Sequence, residues 1–104
     1  QREEIHFTAK ELNSMAVEHF QKNRLLPALD AIKQALTLSP NNTKLLFSEL
    51  KILIKIKQEE QGTSGHEEAT EKIIAELDTA NLEGKSRATF EDLLLKWQKA
   101  KEQD

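Results

Sequence analysis

Apolar residues recur along this chain with a helical period, in five separate stripes. The first opens at Thr8-Ala9-Lys10-Glu11, a capping box in which the threonine hydroxyl takes a free N–H of the first turn and the glutamate reaches back to the threonine N–H. Phe7 and Leu12 stand where a hydrophobic staple would join them. Leu12, Met15, Ala16, His19 and Phe20 follow the i, i+3, i+4, i+7, i+8 rule and predict a helix to about residue 22, with Asn23 suited to the left-handed exit.

The second stripe, Ala28, Leu29, Ile32, Ala35 and Leu36, predicts a helix over 25–38. Pro27 falls in its first turn, where a missing N–H costs little, and Ser39-Pro40 ends it because a residue before proline avoids helical geometry. Asn41-Asn42 supplies a turn and a cap for a third helix over 43–58, with Leu46, Leu50, Leu53 and Ile54 inward. That helix also carries Leu45, Phe47, Ile52 and Ile56, more apolar surface than one inward stripe consumes.

Residues 58–65 lose all periodicity and hold two of the three glycines, which predicts a mobile loop. Ser64 and Glu67 then offer a second capping box. A fourth helix carries Ala69, Ile73, Ile74 and Leu77. After a break near Gly84, a fifth, capped by Ser86 and running over 86–102, carries Phe90, Leu93, Leu94 and Trp97. The fold class expected is all-α, built from antiparallel helix hairpins.

Composition narrows the picture. A chain of 104 residues is the size of one domain with one core. The formal charge is −3, with both signs mixed along the whole length, so there is no basic stripe of the kind phosphate neutralisation requires, and nucleic acid is not the expected partner. The absence of cysteine removes disulfides and thiolate metal sites and fits a reducing, cytoplasmic compartment. No apolar run approaches the ~20 residues that span a bilayer, so no membrane partner is expected. Gln1-Arg2-Glu3-Glu4 has neither an initiator methionine nor a signal segment, as in a piece of a larger parent.

Leu12, Met15, Ala16 and His19, then Ala28 and Ile32, then Ala35 and Pro40, fall on the spacing of the tetratricopeptide repeat, a helix pair of about 34 residues. The run Ala-Leu-Asp-Ala-Ile-Lys-Gln-Ala-Leu-Thr-Leu-Ser-Pro-Asn-Asn, residues 28 to 42, resembles that family closely. Leu12, Ala16 and His19 replace its tryptophan, glycine and tyrosine. Small residues at Ala16 and Ala28 let two antiparallel helices approach, while Leu12, His19 and Ile32 fill the grooves beside them.

Leu46 lies 34 residues after Leu12, but Ala69 lies 41 after Ala28, the excess falling in the Gly62 to Gly65 loop. The resemblance implies a right-handed superhelix of about five helices: one good repeat over 9–42, a degenerate one over 43–80 with its turn lengthened at 58–65, and a capping helix. One repeat, a lengthened repeat and a closing helix containing Arg87-Ala88-Thr89-Phe90-Glu91-Asp92-Leu93-Leu94 also look like the C-terminal part of bacterial response regulators that join a phospho-receiver to such repeats.

In this family the first helix of each repeat lines a concave groove for a peptide or helix. Carried onto matching positions, that surface is Lys10, Asn13, Val17, Phe20 and Gln21 with Lys44, Phe47, Lys51, Ile54 and Lys55, and it implies an acidic partner with hydrophobic anchors. The version that grips a C-terminal carboxylate with lysine and asparagine is not matched by Asn13 and Val17. On the residues alone, positions 44, 47, 51, 54 and 55 share one helical face, and lysines there equally form a solvated face.

Chemistry is not expected. His6, His19 and His66 sit in three segments without carboxylates at ligand spacing, so no metal site is drawn from them. His66-Glu67-Glu68 lacks the second histidine of a zinc-protease helix, and there is no thiol or serine elbow. The expected function is a non-catalytic protein-interaction module without cofactor or metal. The alternative is a structural domain that forms a homodimer through the surplus apolar surface of the third helix.

Overall fold

The computed structural model describes residues 7–59 and 66–102. The fold is all-α: α1 (Ala9–Gln21), α2 (Leu25–Leu38), α3 (Thr43–Glu59), α4 (Glu67–Asp78) and α5 (Gly84–Glu102), with no strand among the described residues.

Local chemistry sets the first hairpin. The Thr8 hydroxyl accepts from the Glu11 N–H at 3.1 Å, and the Glu11 carboxylate accepts from the Thr8 N–H at 2.9 Å. The capping box is complete. These bonds from Thr8 to the carboxylate hold the Glu11 pKa below its ordinary value. Phe7, expected to staple onto Leu12, is 43% exposed.

At the other end Asn23 takes φ 60. Its N–H donates to the Phe20 carbonyl at 3.0 Å and the Arg24 N–H to the His19 carbonyl at 2.8 Å, the paired bonds of a Schellman exit. The turn of residues 22–24 brings α2 straight back along α1, and this is the most extensively packed pair in the molecule. Asn23→Val, which puts a β-branched side chain at positive φ, is expected to lose about 1–2 kcal/mol in chemical denaturation, whereas Asn23→Gly stays close to the parent.

Ala16, Ala28 and Ala35 are each at most 1% exposed. With side chains this small at the seam, the two helices approach closely, and Leu12, Leu29 and Ile32 pack around it. Ala31 joins them at 5% exposure, outside the expected inner stripe; Leu36 and Met15 are half-buried against the core. α2 stops at Leu38, as Pro40 requires. The Asn42 carboxamide then accepts from the Leu45 N–H at 3.3 Å and caps α3.

α3 is the central rod. It packs against α1, α2, α4 and α5 in turn, which explains why it is apolar nearly all round. Leu45, Leu46, Leu50, Ile52, Leu53, Ile54 and Ile56 are all buried, and Phe47 is half-buried. The surplus that suggested a homodimer is therefore consumed inside the chain. α1 and α3 lie side by side and parallel: Ser48 donates to Asn13 Oδ1 at 3.1 Å, and Asn23 Nδ2 donates to Glu59 at 3.0 Å, two contacts at nearly constant offset.

α3 continues through Gln58 and Glu59, two residues into the expected loop; the rest of that loop, with Ser64 of the second capping box, lies outside the described residues. α4 begins after His66 instead, whose side chain makes no cap bond. Across the loop, Lys57, 95% buried, meets Glu67 at 2.9 Å. Thr70, absent from the expected stripe, is fully buried because its hydroxyl donates to the His66 carbonyl at 2.8 Å and so leaves no unbonded polar group.

α5 starts at Gly84, not at a Ser86 cap. Gly84 has φ 58, a geometry glycine reaches without strain, so the helix turns on there and Ser86 lies exposed inside it. Phe90, Leu93, Trp97 and Ala100 are buried. The Trp97 indole donates to Glu71 at 2.7 Å, and Lys101 reaches the same oxygen at 3.2 Å, pinning α5 to α4. Chiefly through the indole bond, the Glu71 pKa is lowered.

Candidate functional site

The parallel placement of α1 and α3, with α5 beside α3, leaves a groove on one side of the molecule. Its larger section, about 600 Å³, lies between Phe20 of α1, Lys51, Ile54, Lys55 and Gln58 of α3, and Ala88, Thr89, Asp92, Leu93 and Lys96 of α5. A second section of about 290 Å³ between α1 and α3 adds Ala16, Val17, Gln21, Ser48 and Ile52. Phe20 and Lys51 belong to both, so the two sections meet there.

The floor is apolar and the rim is charged. Ile54 and Leu93 are 3% and 4% exposed, Phe20 is half-buried, and Val17 is 42% exposed. An exposed valine beside a half-buried phenylalanine is apolar surface that neither helix covers. On the rim, Lys55 lies 3.5 Å from Glu59 and Lys96 lies 3.2 Å from Asp92, both exposed i,i+4 pairs. Such pairs neutralise charge but contribute little stability. Lys51, exposed between the two sections, forms no ion pair with any described residue.

Of the residues singled out in the sequence, the structure brings Val17, Phe20, Gln21, Lys51, Ile54 and Lys55 together around this groove. Ile54 lines it as buried floor. Asn13 is a correction, since its carboxamide oxygen is engaged by Ser48 and holds α1 to α3. Lys10 and Lys44 are exposed but line neither section, and Phe47 is half-buried against the core.

The residues missed are Gln58, the whole α5 wall, and Ala16, Ser48 and Ile52 in the second section. Ala88, Asp92 and Lys96 recur at i+4, with Thr89 and Leu93 beside them, so their common face was readable. Its position opposite Lys51 and Lys55 was not, because the pattern within α5 says nothing of which helix it docks on.

His19 is half-buried with Nδ1 enclosed and no hydrogen-bond partner, a ring held by packing. His66 precedes α4, and His6 lies outside the described residues. Among the described residues no three of His, Cys, Asp and Glu come together at metal-ligating distance, and no helix is long and apolar enough to cross a membrane. Comparison of the chain with family models, with curated proteins and with solved structures gives no match.

Proposed function

We propose that this chain is a non-catalytic interaction module that takes a peptide or helix of a protein partner in the groove between α1, α3 and α5. The observation that carries the proposal is the groove itself: an apolar floor with Phe20 half-buried where its two sections meet and Val17 exposed in the second, and Lys51 unpaired among the described residues above it. Apolar floor and cationic rim together select an amphipathic, acidic segment, because the apolar contacts provide affinity while the lysines steer and orient. The near-constant offset between α1 and α3 supports the tetratricopeptide reading, in which successive first helices stand parallel. A receiver-linked response regulator is one parent in which such an output module would serve.

A displayed peptide library panned on the protein is expected to enrich acidic sequences with spaced apolar residues. Charge reversal where the two sections meet, Lys51→Glu, is expected to remove capture while shifting the melting temperature by no more than a degree or two, since exposed charges contribute little to folding. Retained capture in that variant, or enrichment of basic peptides, rules the proposal out.

A further inference from the structure

On the opposite face of α3, half a turn round from Gln58, Glu49 is buried to 7% exposure. It makes no hydrogen bond and no ion pair with any described residue. It lines a cavity of about 310 Å³ between α2, α3 and α4, walled by Leu36, Pro40, Leu46 and Ile73 and edged by Lys72 and Glu76. Lys33 and Lys72 attract the carboxylate through space without contacting it, and Glu76 repels it. Burial, the larger effect, and Glu76 push the Glu49 pKa up. The folded chain therefore holds this proton to higher pH than the unfolded chain, so stability falls as pH rises from the ordinary carboxylate range through the raised pKa.

The Glu49 stem is enclosed, but its carboxylate oxygens, without a hydrogen-bond partner among the described residues, are not sealed from solvent, so a donor arriving from outside can reach them. The cavity has the chemistry of a receptor for a long side chain that is apolar along its stem and cationic at its tip. We propose that it receives an arginine side chain of a protein partner, the aliphatic stem lying along Leu36, Leu46 and Ile73 and the guanidinium paired with Glu49. A planar guanidinium offers two parallel N–H donors to one carboxylate, a fit that the point charge of lysine does not give. This site is on the other side of α3 from the peptide groove and does not depend on it.

The probe is N-acetyl-arginine amide, titrated into the isotopically labelled protein at neutral pH, with N-acetyl-citrulline amide as its uncharged isostere. Saturable shifts are expected at the methyls of Leu36, Leu46 and Ile73, at least about tenfold weaker for citrulline and for Glu49→Gln, the ratio expected from losing one charge-assisted pair. In the unaltered protein, the Glu49 carboxyl carbon is expected to titrate at lower pH once the probe is bound, a readout that needs no variant to fold. The Lys51→Glu variant is expected to bind the probe unchanged. Absence of saturable shifts, equal binding by Glu49→Gln, or binding that appears only after Lys72→Ala, which would make Lys72 the carboxylate's own counter-ion, overturns the proposal.

Discussion

Ala28→Glu is expected to lower the free energy of unfolding by about 3 kcal/mol or more. Ala28 is fully enclosed between α1 and α2, facing the seam that Ala16 and Ala35 also line. A glutamate there must either keep a carboxylate in an apolar seam without a counter-ion or force the helices apart and lose the cover over Leu12 and Ile32. Since a domain of this size is stable by only about 5–15 kcal/mol, either outcome is a large fraction of the total. Urea denaturation followed by circular dichroism measures it. A variant with unchanged midpoint would mean that α1 and α2 are not in close contact.

Phe90→Ala is expected to cost about 3–5 kcal/mol, the range for removing a fully buried aromatic ring from a core. Phe90 is 1% exposed and is among the largest enclosed side chains, on the helix that closes the far side of α3. Its effect differs in kind from that of Ala28→Glu. With the ring gone, α5 is held mainly by Leu93 and by Trp97 with its bond to Glu71, so α5 should open locally before the α1–α2 hairpin melts. Amide exchange should therefore quicken in α5 first and leave α2 protected. Peptide capture should weaken with it, because Leu93 and Lys96 are part of the groove. Uniform loss of protection across all five helices would show that α5 is not a separable unit.

The two substitutions divide the molecule where the sequence reading divides. The first hairpin was legible because its instructions are local. Thr8 and Glu11 are three residues apart, Asn23 needs only its own backbone angle, Pro40 acts on its neighbour, and the alanines are small at helical spacing. Each cue acts within one or two turns, and the structure realises each of them. The grooved face was only half legible. Val17, Phe20, Gln21, Lys51, Ile54 and Lys55 line the groove, but Asn13 is a strut between helices and α5 supplies an entire wall. The periodicity of Ala88, Asp92 and Lys96 defines a face without saying what it looks at.

Sequence alone determined five helices, their boundaries to within a few residues, and the buried stripe of each, because capping, proline and amphipathic period are properties of short stretches. Tertiary structure alone decided that α3 is surrounded and so uses its extra apolar surface internally, that Thr70 and Glu49 are enclosed, and that α5 faces Lys51 and Lys55 across a groove. Those outcomes depend on which helix covers which. That choice is made by packing between residues far apart in the chain, where a period within one helix carries no information.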